Sequence, residues 1–366
     1  MSKERIHTIQ QWLQTEDIDV CILTSKENVF YTTKLYKDPH ERLLALCIFP
    51  TGEPTLVCPQ MEVSESKNSP VEMNVIGYYD TDNAEDLLVQ TILKRSSGVR
   101  KIAVEKEHLP AGRYEALLHG LTPQAFVSAE ETLSTLRLVK DEEEIAILRE
   151  AAELADLGVE IGVNAIREGN TEQAVVAEIE YELKKKGIMG MSFQTMCLTG
   201  ANAANPHGVP GKNTFTKGDL VLFDLGVMWK GYASDITRTV AFGDIHEKQE
   251  NIYNTVLQAQ ITALEMCRVG KTCQDADQAA RSYIEAAGYG DYFPHRLGHG
   301  LGLNVHEYPS MTSTNTLPFR EGMVCTVEPG IYVPNVAGVR IEDDILITSE
   351  GAKTLTTFPK ELQIIS

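Results

Sequence analysis

One segment constrains this chain more than any other: Asp219–Phe242, DLVLFDLGVMWKGYASDITRTVAF. It predicts two β-strands joined at Met228–Gly231. Asp224 sits inside the apolar run Val221–Leu225 of the first strand, and Asp235 lies in the second. With Trp229 and Lys230 as a two-residue turn, Met228 faces Gly231, Gly226 faces Ala233, and Asp224 faces Asp235. Opposed Cβ atoms on one face of a sheet lie about 4.5–5.5 Å apart. A register slip of two would leave the carboxylates diagonal on that face. The simpler alternative is that Asp224 caps a turn and Asp235 is solvated, but aspartate is disfavoured inside a strand. Two buried carboxylates this close repel, so a shared proton or a bound cation must neutralise them. The small neighbours Gly226 and Ala233 leave room for an ion.

The charge balance narrows the partners. Among 366 residues there are 33 Lys and Arg against 52 Asp and Glu, a net charge of −19. Nucleic acid and anionic membrane both repel such a chain, so neither is an expected partner. The length suggests two domains. Seven cysteines at positions 21, 47, 58, 197, 267, 273 and 325 show no CxxC spacing. They read as free thiols in a reducing compartment. The beginning MSKERIHTIQQW has no apolar h-region, and no stretch reaches 18 uninterrupted apolar residues. A cytoplasmic protein without a transmembrane helix is therefore expected.

Residues 1–130 alternate helical and strand patterns. Residues 4–16, 83–93 and 111–118 have helical spacing. Strands are expected at 20–23, 43–49, 55–58, 75–77 and 101–104, with a hairpin turn at Pro50–Glu53. This predicts an α/β domain with its own sheet. Its histidines, His7, His40, His108 and His119, have no companions at ligand spacing and read as structural or surface residues. Residues 129–140 read as a bridge to a second domain, residues 135–366.

The second domain repeats a plan. A helix over 141–167 ends at Gly169, and Asn170 is expected to cap a second helix closed by Gly187. A loop with His207 and the Asp224/Asp235 hairpin follow. Then come helices at 249–268 and 272–287, a glycine-rich loop HRLGHGLGLNVHEYP, and a hairpin from Met323 to Thr348. The order helix, helix, histidine-bearing loop, carboxylate-bearing hairpin thus occurs twice without clear sequence identity, which predicts an internal structural duplication.

The second hairpin holds Glu328 in one strand and Glu342 in the other. Arg340, two residues before Glu342, shares its face, whereas Asp343 points away. His299 lies between Gly298 and Gly300, which let backbone approach closely and aim the imidazole. Four carboxylates with one imidazole suit Mn²⁺, Co²⁺, Fe²⁺ or Zn²⁺. Four acids exceed the needs of one ion. Two ions about 3.5–4 Å apart can generate hydroxide at neutral pH and polarise a carbonyl, the equipment for amide hydrolysis.

At these residues the sequence resembles a known family. FDLG…SDITRT, HRLGHGLGLNVHE, GMVCTVEPGIY and GVRIED are patterns of the pita-bread metallopeptidases, which include methionine aminopeptidases, aminopeptidase P, prolidase and the metal-free creatinases. The resemblance implies a creatinase-like N-terminal α/β domain followed by a C-terminal pita-bread domain with pseudo-twofold helix–hairpin halves. It implies dinuclear metal ligation by Asp224, Asp235, His299, Glu328 and Glu342, with manganese first and cobalt, zinc or iron as alternatives. It places His207 and His306 beside the metals as substrate-binding residues. It implies that Arg340 holds the carboxylates in place, with substrate as an alternative partner, and that Glu328 also shuttles the proton to the leaving nitrogen.

The long N-terminal domain resembles prolidase and aminopeptidase P rather than methionine aminopeptidases. The expected reaction is hydrolysis of Xaa-Pro bonds in dipeptides by a homodimer. The alternatives are an aminopeptidase P acting on longer peptides with proline second, a non-catalytic peptide-binding relative, and a metal-free creatinase-type hydrolase. Some family prolidases carry an arginine just after the His-Glu-x-Pro run to meet a dipeptide's carboxylate. Here His306-Glu307-Tyr308-Pro309 is followed by Ser310. GHGLG lacks nucleotide-loop spacing, and neither HExxH nor GxSxG occurs.

Overall fold

The computed structural model describes residues 2–96 and 98–366. The chain divides into two units, Met1–Leu136 and Arg137–Ser366.

In the first unit, six short strands form one mixed sheet in the order Asn74–Tyr78, Thr55–Pro59, Ala45–Ile48, Val20–Leu23, Lys101–Val104, Ala125–Ser128. The central strands are apolar on both faces and fully buried. Each face therefore needs a cover, as expected for a sheet with parallel strands and helical crossovers. Helix Ser2–Thr15 closes one face through Ile6, Ile9 and Leu13. Helices Ala84–Arg95 and Ala111–Leu121 close the other through Leu88, Ile92, Leu117 and Leu121. Residues 130–138, expected as a bridge, form a helix (Glu130–Leu138).

The second unit carries two similar halves. Helices Glu142–Ala165 and Glu172–Lys185 pack on a sheet ordered Ile364–Ile365, Ile236–Phe242, Asp219–Leu225, Met196–Thr199. Helices Glu247–Met266 and Cys273–Ala286 pack on a sheet ordered Glu307–Met311, Gly298–Gly300, Val324–Val327, Asp343–Thr348, Gly351–Thr354. The likeness extends to single hydrogen bonds. Thr171 caps the second helix of one half and Thr272 that of the other. Gln173 N donates to Gly211 O, and Gln274 N donates to Asn315 O. Phe215 N donates to Asn170 O, and Phe319 N donates to Lys271 O. Gly218 N donates to Phe242 O, and Gly322 N donates to Ile347 O. This correspondence sets FTKGDLVLFD beside FREGMVCTVE, and therefore Asp224 beside Glu328. The cap is Thr171 rather than Asn170, because the Thr171 hydroxyl accepts from Ala174 N.

The first hairpin departs from the expected register by two. Met228 pairs with Ala233 and Trp229 with Tyr232, so Lys230 and Gly231 make the turn. Both have positive φ, 48° and 87°. A two-residue turn of this hand needs φ > 0 at both positions, and a glycine second lowers its cost. Asp224 consequently faces Thr237, and Asp235, two residues earlier, is diagonal to it on the same face. Gly226 leaves no room for an ion: a Cβ there would lie 1.8 Å from the Ser234 carbonyl oxygen. Strand pairing lapses at Gly226 and at Ser234–Asp235 and resumes beyond. The second hairpin lapses likewise between the Val327↔Asp343 and Gly330↔Arg340 pairs. Glu328 and Glu342 sit at that break. Asp235, Glu328 and Glu342 thus sit where the strand ladders are interrupted, whereas Asp224 stays within the paired strand, two residues short of Gly226.

Candidate active site

The two hairpins meet edge to edge. Glu342 N donates to Thr237 O at 3.1 Å, and the Thr239 hydroxyl donates to Arg340 O at 3.0 Å. Two reciprocal pairs clamp the halves. Arg340 donates to Asp224, and Arg238 donates to Asp343 at 2.7 Å. Asp343 is on the far side, where Gln260, Thr356 and Lys360 also donate to it.

A cavity of about 630 Å³ opens between the hairpins. Asp224, Asp235, His299, Glu328 and Glu342 all line it, as do His207, His306 and Arg340. Coordinating atoms of Asp235, His299 and Glu342 lie within 4.8 Å of one another. His299 is positioned by its glycines as expected. A Cβ on Gly298 would be 2.1 Å from Thr326 O, and one on Gly300 would be 2.3 Å from Tyr308 O. His299 N donates to the Thr326 hydroxyl oxygen at 3.1 Å. Nδ1 lies 3.1 Å from Gly300 O, which an N–H there satisfies. Nε2 is then aimed at Glu328 Oε1, 3.3 Å away, and Asp235 Oδ2, 3.7 Å away. A proton or a cation is required at that point.

The carboxylates share a pattern. Asp224 Oδ2 accepts from Arg340, and Glu342 Oε2 accepts from the Thr237 hydroxyl at 2.6 Å. Yet Asp224 Oδ1, Asp235 Oδ1 and Glu342 Oε1 are buried with no hydrogen-bond partner. Buried polar atoms are nearly always paired. Burial pushes the Asp224 carboxyl up, with Arg340 opposing and Glu328 reinforcing. Asp235 and Glu342 are driven well above the ordinary carboxylate range by burial and then by one another's neighbours, Glu342 against Asp235 and Glu328 against Glu342. Glu328 goes the other way. Burial disfavours its charge, but His299 and Arg340 overcome that and hold it below the ordinary range. Three unpaired buried oxygens lining one cavity, two of them on acids clustered with the His299 imidazole, fit divalent-cation ligation.

Arg340 is fully engaged: Nε donates to the Thr237 hydroxyl at 3.0 Å and Nη1 to the Tyr332 hydroxyl at 2.7 Å. His306 stacks edge-on against His299 with ring centroids 4.3 Å apart. Burial and the neighbouring His299 lower its pKa, so its ring is neutral near pH 7. His207 is exposed on the loop after strand Met196–Thr199.

Sequence reasoning missed several members. His295 and Arg296 line the cavity, although both stand in the quoted HRLGH run. Tyr332 lines it too. It also bridges His295 Nε2, 3.0 Å away, to Arg340, and burial pushes its phenol up to about 12. The signal was its alternation: Glu328, Gly330 and Tyr332 are two apart. Asp344 was missed as well; its Oδ2 accepts from Asp235 N at 3.0 Å. Glu172 is wholly buried and holds the His207 loop. It accepts from Thr199 N at 2.8 Å, Gly211 N at 2.9 Å, Asn213 Nδ2 at 3.1 Å and Asn202 Nδ2 at 3.0 Å.

Residues 146–349 match the family described as Metallopeptidase family M24. The chain belongs to metallopeptidase family M24. Residues 5–139 of this M24 peptidase match the Creatinase/Prolidase N-terminal domain. It is 53% identical over 361 residues to a Bacillus subtilis (strain 168) protein named "Putative dipeptidase YkvY", spanning 99% of both chains. Two solved structures share the pita-bread fold across its length. A prolidase from Pyrococcus horikoshii OT3 has a TM-score of 0.91 at 36% identity, over 98% of this chain and 99% of that one. An Xaa-Pro dipeptidase from Bacillus anthracis has a TM-score of 0.93 at 33% identity, over 100% of both. The M24 peptidase is thus a hydrolase of a metal-using family whose cavity holds an acidic, histidine-bearing cluster.

Proposed function

We propose that this M24 peptidase holds two divalent ions and hydrolyses Xaa-Pro bonds, with dipeptides as its substrates. The observation that carries the metal site is the cluster of Asp235, His299 and Glu342, with unpartnered buried oxygens on Asp235, Glu342 and, in the same cavity, Asp224. Asp224, Asp235, His299, Glu328 and Glu342 would hold the ions, and manganese suits this oxygen-rich donor set with one nitrogen. Ions bound there would polarise the scissile carbonyl and supply water activated for attack at neutral pH. Glu328, kept ionised by His299 and Arg340, accepts the proton of the attacking water. It then passes that proton to the proline nitrogen as the C–N bond breaks, leaving a free amino acid and free proline. His306 and His207 donate hydrogen bonds to the carbonyl oxygen as it gains charge. Arg340 fixes Asp224. The Xaa-Pro assignment and the preference for dipeptides draw support from the prolidase, Xaa-Pro dipeptidase and dipeptidase names of the relatives.

The seven cysteines are all buried and unbonded, which supports a reducing, cytoplasmic setting. None of the described helices is long and apolar enough to cross a membrane. A homodimer completes the proposal and is read by sedimentation. The deciding assay is Leu-Pro hydrolysis after chelation and after add-back of Mn²⁺, Co²⁺ or Zn²⁺, with ions counted per chain. Activity should return with metal and vanish in Asp235→Asn. Two bound ions with no hydrolysis under any metal would refute the reading.

A further inference from the structure

His306 reaches the cavity from a stretch with little regular structure to hold it. Strand Gly298–Gly300 pairs with strand Glu307–Met311, Gly300 opposite Glu307. Residues 302–306, between them, belong to no strand or helix. Val305 and His306 nevertheless line the cavity, and the His306 ring stands against His299 with centroids 4.3 Å apart. A loop of this kind does not fix a side chain by itself, because ordering each residue has an entropic cost that contacts must offset.

The next residue supplies those contacts. The Glu307 side chain is only 6% exposed. Its Oε1 accepts from Asn304 N at 3.0 Å and from Arg137. Arg137 Nη2 also donates to Asn304 Oδ1 at 3.0 Å. Gly302 lies against the other oxygen: a Cβ there would be 2.7 Å from Oε2. Lys140 Nζ is 3.6 Å from Oε2 and has no hydrogen-bond partner among the described residues. Burial opposes the charge of Glu307, but Arg137 and Lys140 outweigh it and hold the carboxyl below its usual range. The carboxylate thus closes a ring over residues 304–307, and the two cations tie that ring to chain outside it. Their own place is firm: Lys140 N donates to Gly322 O at 2.8 Å, and Val139 bridges to Met323. At the other end of the loop, Ala233 N donates to Gly302 O at 2.7 Å. Successive side chains of extended backbone point to opposite faces, so with His306 in the cavity Glu307 faces away from it and acts through its neighbour.

We propose that Glu307, held by Arg137 and Lys140, is the positioning residue of His306 and sets where its imidazole stands in the cavity. The consequence for catalysis rests on the Xaa-Pro reading above, in which His306 donates to the carbonyl oxygen.

Two measurements test this, and they can fail separately. The first uses zinc-loaded, diamagnetic protein labelled with carbon-13 at histidine Cε1, with His306→Ala assigning the His306 resonance. Glu307→Gln and Arg137→Lys should each shift or broaden that resonance and leave those of His7, His40 and His246 in place. An unmoved His306 resonance overturns the proposal. The second is a double-mutant cycle on Leu-Pro hydrolysis. His306→Ala should lower kcat about 100-fold, as for one donor to a developing oxyanion. Glu307→Gln should lower kcat about tenfold or more, since a small misplacement of a catalytic group is costly, with KM and ion content near wild type. In the His306→Ala background it should lower kcat no further. Losses that multiply, or that track lost ions, overturn the proposal, because Glu307 would then merely support the fold. Arg137→Lys keeps the charge without the fork. It should give a smaller loss with the same non-additivity, and it carries both measurements if Glu307→Gln does not fold. A wild type that hydrolyses no Xaa-Pro dipeptide removes the Xaa-Pro reading, and the His306 resonance then decides the positioning alone.

Discussion

Glu172 offers the sharpest test of how the site is held together. Its carboxylate is wholly buried at the start of helix Glu172–Lys185 and pins the His207 loop at both ends. Thr199 N and Asn202 Nδ2 donate from one end, Gly211 N and Asn213 Nδ2 from the other. In Glu172→Gln one acceptor oxygen becomes a donor that faces donors. The loss is one charge-assisted bond, about 1.5–3 kcal/mol, plus part of the cost of an unpaired buried N–H, for about 2–4 kcal/mol in all. That energy tethers the loop locally, so amide protection across 199–213 should fall roughly 30- to 1,000-fold. The metal-ligand set is untouched. Ion content should therefore stay at the wild-type value while kcat drops with His207 misplaced. Hydrogen exchange by mass spectrometry, metal analysis and Leu-Pro turnover on one preparation separate these effects. Unchanged protection in 199–213, or loss of metal in step with activity, would refute the reasoning.

Two further outcomes follow from the buried charges. Asp343→Asn leaves Arg238 without its carboxylate partner in a fully buried place, and should cost about 3–5 kcal/mol, read as a lower chemical-denaturation midpoint. Burial opposes the charge of Asp343, but Arg238 and Lys360 win and hold its carboxyl below the usual range. Its contribution is thus fully present above the unfolded value of about 3.9 and is lost as pH falls through the folded one. The variant should show a flatter acid limb of stability than wild type. In chelator, Asp235→Asn should raise Tm by about 2–4 °C, for about 1 kcal/mol gained. It removes a buried carboxyl whose charged form burial and Glu342 both disfavour and offers an amide donor to the remaining acids. The metal-induced rise in Tm should disappear in the same variant, as scanning calorimetry would record. A lower Tm in chelator would contradict this account.

Much of the site was legible because its residue types are costly where they stand. Asp224 in an apolar strand, Glu328 and Glu342 in a second hairpin, and His299 between glycines all violate local preference, and such violations need a partner. The face of Arg340 and the exclusion of Asp343 followed from strand alternation, and both agree with the observed bonding. The turn was misplaced by one residue because the handedness of the hairpin was not applied to Trp229, Lys230 and Gly231. Gly231 is the only glycine of the three, and it belongs in the turn. The duplication was visible as element order but not as sequence. Its trace, Phe-x-x-Gly before Asp224 and again before Glu328, is short and became readable only through matched backbone bonds. His295 and Glu172 were hidden for a different reason. Each acts through another residue, and a neutral or buried group that touches a functional one has no periodicity of its own.

The arrangement of carboxylates also says something about mechanical integrity. Asp224 and Asp235 belong to one half, and His299, Glu328 and Glu342 to the other. Each half rests on its own helix pair. No contiguous stretch of chain carries a full set of donors, so a cation seated among them acts as a rivet across a seam. By linkage, its binding free energy is cohesion between the halves. Stripping it should first loosen the seam, where Arg340 meets Asp224 and Arg238 meets Asp343, and leave each half's apolar packing standing. A proteinase probing the stripped enzyme would then find the connection near Gly243–His246 before it found either core.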